Sequence, residues 1–284
     1  MLAPGIVIFT PSSLLGVPTR GTHAASDALI EIERRNIPLI LTTRDTRAQL
    51  EFLRRKIGHA HPFITEGGGG LFVPDGYFAL RLDGARRTGR YLCVPFGRSS
   101  QEASEAVEEI ATEAGAEVVR YAEMTSREIS RNAGTSERDA EASREREFSE
   151  RFFFAGNTDS TAAALEKLAG RQDWQLRRME PFWEIFSGND EGKALRYLMR
   201  VYRDALRSRV RSIAIGVSLE DLFLLRTSDQ AFVLPLSPGH FDEKLLSKLP
   251  NATKIDAPGP PGWNQTVVTV LNMHEKNGDF AINL

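Results

Sequence analysis

Short β-branched and aliphatic runs, alternating with stretches of helical period, constrain this chain more than any other feature. Gly5 to Thr10 is apolar and closes on Pro11-Ser12-Ser13, a buried strand ended by turn residues. Ala24 to Arg35 sets Ala25, Ala28, Leu29 and Ile32 on one helical face. Ile37 to Thr42 is a second buried-strand candidate, and Thr46 to Lys56 is helical again. Strand, helix, strand, helix in that order predicts a parallel sheet with crossover helices. The pattern returns late in the chain. Asp190 to Arg209 is a helix with Ala194, Leu195, Leu198, Tyr202 and Leu206 on one face, and Ser212 to Gly216 is a strand. Glu220 to Arg226 is a short helix, Ala231 to Leu236 a strand, and the loop Pro258 to Gly262 leads into a last helix near Trp263.

The middle has a different texture. Ile64 to Phe78 holds the consecutive glycines Gly67 to Gly70 and then LFVPDGYF, which reads as a hairpin. Beyond Arg87 the chain becomes more polar, with the strand-like YLCVPF, a helix over Gln101 to Ala114, and a charged stretch from Thr125 to Glu150. Thr125 with Glu128, and Ser136 with Asp139, are capping-box patterns that start helices. An inserted domain is therefore expected, with core over 1–86, insertion over 87–186 and core again over 187–284. The fold class is α/β, a parallel-sheet core carrying an α+β insertion.

Composition excludes several classes of function. The 284 residues carry 36 Lys+Arg against 38 Asp+Glu, a net charge of −2, which leaves no electrostatic footprint for nucleic acid. The single cysteine, Cys93, allows neither an internal disulfide nor a cysteine-rich zinc site, and suits a reducing compartment. No run approaches the roughly 18 apolar residues of a membrane span. The opening MLAPGIVIFT lacks the basic flank of a signal segment, so a cytoplasmic setting is expected.

In open parallel sheets ligands bind outside the carboxyl ends of the strands. The segments expected there are Pro11-Ser12-Ser13, Thr43-Arg44, Lys193 and Gly216 to Asp221. Lys193 falls in the first turn of a helix, where a cation opposes the helix dipole. It is either one half of a phosphate site or an exposed lysine paired with Glu191 or Asp190. Thr43 offers a hydroxyl at a strand end. Glu66, Gly67 and Gly68 are candidate ligand contacts, or else a flexible hairpin tip. Arg177 and Arg178 are either a clamp for an acidic ligand or surface charge. His59-Ala60-His61 has a poor spacing for a metal.

Taken in order, these pieces resemble the haloacid dehalogenase (HAD) superfamily of phosphatases, and within it the mannosyl-3-phosphoglycerate phosphatase branch. The resemblance runs nearly end to end. It is carried by IVIFT, PLILTTRDTRAQLEFLRRKIG, PFITEGGGGLFVPDGYF, EMTSREIS, REREFSERFF, GNDEGKAL, GVSLEDLFLL and GPPGWNQTVV. It implies a Rossmann-like core with an inserted cap domain. It also implies Mg²⁺-dependent phosphoryl transfer to an aspartate, a second aspartate as acid/base, and a Ser/Thr and a Lys holding the phosphate. Those last two positions match Thr43 and Lys193, with Arg44 beside them, and the last metal carboxylate matches Asp221.

The rest departs from the family pattern. Pro11 stands at the nucleophile, Ser12 and Ser13 fill the place of the second aspartate, Val217 replaces the first metal carboxylate, and Glu220 replaces an asparagine. RRMEPFWEIF in the cap differs from the family's glycine-rich version. A proline forms no phosphoaspartate, and Mg²⁺ needs oxygen ligands that Asp221, even with Glu220, supplies weakly. The leading expectation is a protein without turnover that binds or senses a phosphorylated sugar or glycerate. The alternatives are an active Mg²⁺-dependent sugar-phosphate phosphatase with a rearranged centre, and a structural partner subunit. The last would show an apolar patch near Phe152 to Phe154 or Phe182-Trp183.

Overall fold

A computed structural model describes residues 5–16, 26–155 and 159–276. Ala24 and Ala25 of the expected first helix lie outside them. The first core segment contains β1 (Ile6–Pro11), α1 (Ser26–Arg34), β2 (Leu39–Thr42), α2 (Arg47–Lys56), β3 (Phe63–Thr65), β4 (Gly70–Pro74), β5 (Arg86–Thr88) and β6 (Tyr91–Pro95). The inserted unit holds α3 (Ser100–Ala114), β7 (Val118–Arg120), α4 (Ser126–Ala133), α5 (Glu137–Arg144), β8 (Glu150–Phe154), α6 (Asp159–Arg171), β9 (Gln175–Met179) and β10 (Phe182–Phe186). The chain then returns with α7 (Glu191–Leu206), β11 (Arg211–Gly216), α8 (Leu222–Thr227), β12 (Gln230–Val233), α9 (Glu243–Lys248), β13 (Thr253–Lys254) and α10 (Gly259–Lys276).

One nine-stranded sheet, ordered β13-β12-β11-β1-β2-β3-β4-β6-β5, forms the core. It is parallel from β13 to β3 and antiparallel from β3 to β5. β1 lies in its middle, with Phe9 opposite Ala214 of β11 and Ile40 of β2. Alternate β1 side chains feed two cores, as a doubly covered strand requires. Ile6 and Ile8 pack with Trp263, Val267 and Leu271 of α10. Val7 and Phe9 pack with Leu195, Leu198 and Met199 of α7. Each such side chain stabilises the fold by about 1.5–3 kcal/mol on burial.

Two expectations shift. Arg86–Thr88 and Tyr91–Pro95 belong to the core sheet, so the core runs to Pro95 where the sequence put its boundary at residue 86. The hairpin is also displaced. It joins β3 to β4 around the glycines, and LFVPDGYF supplies β4 and then turns at Asp75-Gly76. The insertion builds an antiparallel sheet, β7-β8-β10-β9. Val107, Ile110, Leu165 and Trp174 cover one face of it, and Tyr121, Met124 and Ile129 pack against Phe153 and Phe182 on the other. Thr125 and Glu128 form the expected capping box of α4, whereas Ser136 caps α5 only through the Asp139 amide.

Candidate functional site

Three of the four expected segments meet at the carboxyl edge of the sheet, around β1, where crossovers leave in opposite directions. They line a crevice of about 870 Å³ that the start of α7 and α5 of the insertion also reach. That volume suits a small organic ligand. β1 delivers Pro11 to the crevice, and a 3-10 turn follows with Ser12 and Ser13 on the lining. The loop after β2 brings Thr43 and Arg44, and the loop after β11 brings Val217, Glu220 and Asp221.

Donors on the loops after β2 and β11 are occupied by the protein's own carboxylates, and Lys56 of α2 also lines the crevice. Asp221 Oδ2 accepts from the Val217 and Ser218 amides at 2.8 and 3.1 Å. Asp242 Oδ2 accepts from the Leu219 amide at 2.7 Å. The Thr43 hydroxyl closes a local turn with Asp45, accepting the Asp45 amide at 3.1 Å and donating to Asp45 Oδ2 at 3.4 Å. Arg44 forms an ion pair with Glu220.

Lys193 does not join them. Asp190 is the N-cap of α7, and its Oδ1 accepts the Lys193 amide at 3.0 Å, which fixes Lys193 two residues into the helix. Its side chain is exposed and not among the crevice-lining residues. The residue of α7 that faces the crevice is Glu191. Successive helical residues are turned by about 100°, so a two-residue offset carries a side chain to the far side. Burial, then the neighbouring Asp221 charge, push the Glu191 carboxyl up to about 8. Burial likewise raises Asp221, against the pull of its two amide donors.

This chain is 31% identical over 268 residues to a glucosyl-3-phosphoglycerate/mannosyl-3-phosphoglycerate phosphatase of Methanococcoides burtonii, covering 93% of this chain and 97% of that one. It belongs to the mannosyl-3-phosphoglycerate phosphatase branch of the HAD superfamily. A protein of the same name from Persephonella marina is 28% identical, over 95% of this chain and 99% of its own. A haloacid dehalogenase-like hydrolase from Bacteroides thetaiotaomicron shares the fold at a TM-score of 0.64 and 12% identity, covering 94% of this chain and 99% of that one. No family profile matches the chain.

The Mg²⁺ that this branch of the superfamily implies does not fit the residues present. Mg²⁺ wants near-octahedral oxygen ligation, usually with one or two carboxylates. Val217 offers no ligand, Glu220 is committed to Arg44, and one oxygen of Asp221 serves two amides. Among the described residues no group of three His, Cys, Asp or Glu is placed to hold a metal.

The remaining predicted contacts serve the join between core and cap. Glu66 is buried and accepts from the Glu147 amide at 2.8 Å, the Phe148 amide at 3.1 Å and the Ser149 hydroxyl. It brackets the cap segment against the glycine turn. Gly68 has φ +93°, and a Cβ there would lie 2.2 Å from the Glu191 nitrogen, so this glycine seats the returning hinge. Asn189 Nδ2 donates to the Glu66 carbonyl at 2.7 Å, and Arg98 N to the Ser187 carbonyl at 2.9 Å, tying both hinge strands down. Gly67 alone of the glycine turn keeps partial exposure.

Arg177 is bound to Glu184, which also receives Arg146 and lies 3.7 Å from Arg151. Burial opposes ionisation of Glu184, but Arg146, Arg177 and Arg151 outweigh it and hold the carboxyl at about 2. Arg178 pairs at the surface with Glu180, at 2.6 Å. Sequence reasoning missed Glu184, because a charged residue inside FWEIF reads as an outward strand position. The Phe152 and Phe182 regions form no open patch, since their side chains fill the two sides of the cap sheet. Among the described residues no helix is long and apolar enough to cross a membrane.

Proposed function

We propose that this member of the family binds a small ligand in the crevice without hydrolysing phosphate esters. The observation that carries the reading is Pro11 at the end of β1, where the chemistry of the superfamily calls for a nucleophilic carboxylate. Ser12 and Ser13 stand nearby, and among the described residues no histidine lines the crevice to activate them. The metal fit described above supports the same reading. The ligand carries the glycosyl group that the names of the relatives specify, held between the sheet edge and the cap. Such a protein works as a binding or regulatory component, with a phosphatase shape and no turnover.

The test is an assay of purified protein with Mg²⁺, offering mannosyl-3-phosphoglycerate and an aryl phosphate, beside an Asp221→Ala control. The expected result is no turnover above the control. Turnover that Asp221→Ala abolishes overturns the reading in favour of an enzyme with a rearranged centre. The identity to phosphatases over nearly the whole chain is what favours that second reading.

A further inference from the structure

A phosphate site needs donors that converge on open space, namely backbone N–H groups, a hydroxyl and at least one cation. The loops after β2 and β11 and the head of α7 carry such donors, engaged by the protein's own carboxylates, while Lys56 and the Ser12 and Ser13 hydroxyls stand elsewhere on the lining. Asp221 takes the Val217 and Ser218 amides, Asp242 the Leu219 amide, and Asp190 the Lys193 amide at the head of α7. Asp45 engages the Thr43 hydroxyl, and Glu220 takes Arg44. Where α7 enters the crevice it presents Glu191 beside Asp221, and the lysine of that turn points outward. A phosphate dianion seated against these loops meets the carboxylates of Asp45, Glu191, Glu220 and Asp221, and the amides, hydroxyl and guanidinium that such carboxylates engage are not released to offset its lost hydration.

We infer that the floor of the crevice at these loops is closed to phosphate by the internal carboxylates, that Glu191 and Glu220 set this selectivity, and that the ligand reaches the floor with uncharged hydroxyl groups. The inference rests on reading the crevice as a binding site, and it names what that site accepts. Hydroxyls suit the floor because they donate to carboxylate oxygens and accept from a protonated carboxyl. The apolar walls of Leu14, Phe52, Leu53 and Val217 suit the carbon faces of a sugar ring. Glu191 is thus a specificity residue, and it stays so whether or not any chemistry follows binding.

Amide chemical shifts of isotope-labelled full-length protein provide the test. Inorganic phosphate and methyl α-mannoside are titrated separately into the wild type and into Glu191→Lys/Glu220→Gln. The mannoside is expected to move the Val217, Ser218 and Thr43 amides of the wild type saturably, while millimolar phosphate leaves them in place. In the double variant, which frees Arg44 and adds a cation, phosphate affinity rises by at least about tenfold. Glu191→Gln serves as a second variant should the lysine impair folding, with a smaller gain in phosphate affinity expected. Saturable phosphate shifts in the wild type, equal to those of the variant, overturn the selectivity and leave the binding reading intact. No shift with either probe in any form overturns the binding reading itself.

Discussion

The join between core and cap and the crevice beside it treat charge in opposite ways. At the join, Glu184 lies among the guanidinium groups of Arg146, Arg151 and Arg177, and their positive charge holds its carboxyl at about 2. In the crevice, Glu191 faces Asp221, and like charge with burial pushes its carboxyl up to about 8. The two sites are separated only by the hinge residues Gly188 to Asp190 and the glycine turn that seats them. The chain therefore carries the fold of its family, and the two sides of one hinge hold buried carboxylates in opposite electrostatic settings.

Removing the charge at the join gives the largest expected effect. Glu184→Ala leaves Arg146 and Arg151, whose side chains are 2% and 4% exposed, without their central counter-charge. Breaking a buried ionic cluster from one side costs about 3–5 kcal/mol, read by denaturant unfolding at neutral pH. A loss below about 1 kcal/mol would mean that the cap is held by its other contacts. Gly68→Ala comes next. Its Cβ would fall 2.2 Å from the Glu191 nitrogen in a left-handed backbone, for an expected loss of about 1–3 kcal/mol. The same measurement checks it, with Gly84→Ala as a comparison in which a Cβ meets open space at a similar φ.

Acidity sharpens the contrast between the two edges of the sheet. His59 Nε2 lies 2.7 Å from the Leu39 carbonyl at the start of β2, the edge opposite the crevice. Burial, with the Arg54 charge, lowers His59 from 6.5 to about 3 and His61 to about 4. The unfolded chain takes up these protons first, so stability is lost as pH falls below 6.5 toward 3. Glu191 has the reverse sign. Raised from 4.5 to about 8, it contributes stability below 4.5 that is lost as pH rises through 8. Thermal unfolding across pH 5 to 9 is expected to show both limbs, and Glu191→Gln is expected to shrink the alkaline one, leaving the share of Glu150, whose carboxyl burial raises to about 7. An alkaline limb unchanged in that variant would place the carboxyl in solvent and remove the contrast.

Much of this fold was legible in the sequence because its core strands are short apolar runs closed by turn residues, and helical periods separate them. Tyr91–Pro95 was misplaced because YLCVPF carries no mark of which sheet it joins. That depends on pairing with β4, a contact the local pattern does not encode. The site was harder to read. Thr43, Arg44, Val217 and Asp221 were found from their places after strands, but their hydrogen-bond partners depend on loop geometry. Glu191 had a usable signal. The buried stripe Ala194, Leu195, Leu198 and Tyr202 extends back by three or four residues to Glu191 and passes over Lys193. Glu66 had none, since a carboxylate beside four glycines looks the same whether it meets a ligand or a second domain.

The smallest expected effect is the one that tests this account of the crevice most directly. Lys193 sits in the first turn of α7 with an exposed side chain, and only its amide is engaged, by Asp190. A cation there opposes the helix dipole by about 0.3–1 kcal/mol. Lys193→Ala is therefore expected to leave stability unchanged or raise it slightly, within about 0.5 kcal/mol. The mannoside-induced amide shifts are expected to match the wild type, because the residue of this turn that faces the ligand is Glu191. Loss of those shifts in Lys193→Ala would mean that the lysine swings into the crevice in solution. The first turn of α7 would then carry a cation toward the ligand after all, and the contrast between a charge-paired join and an acid-lined crevice would fail at its central residue.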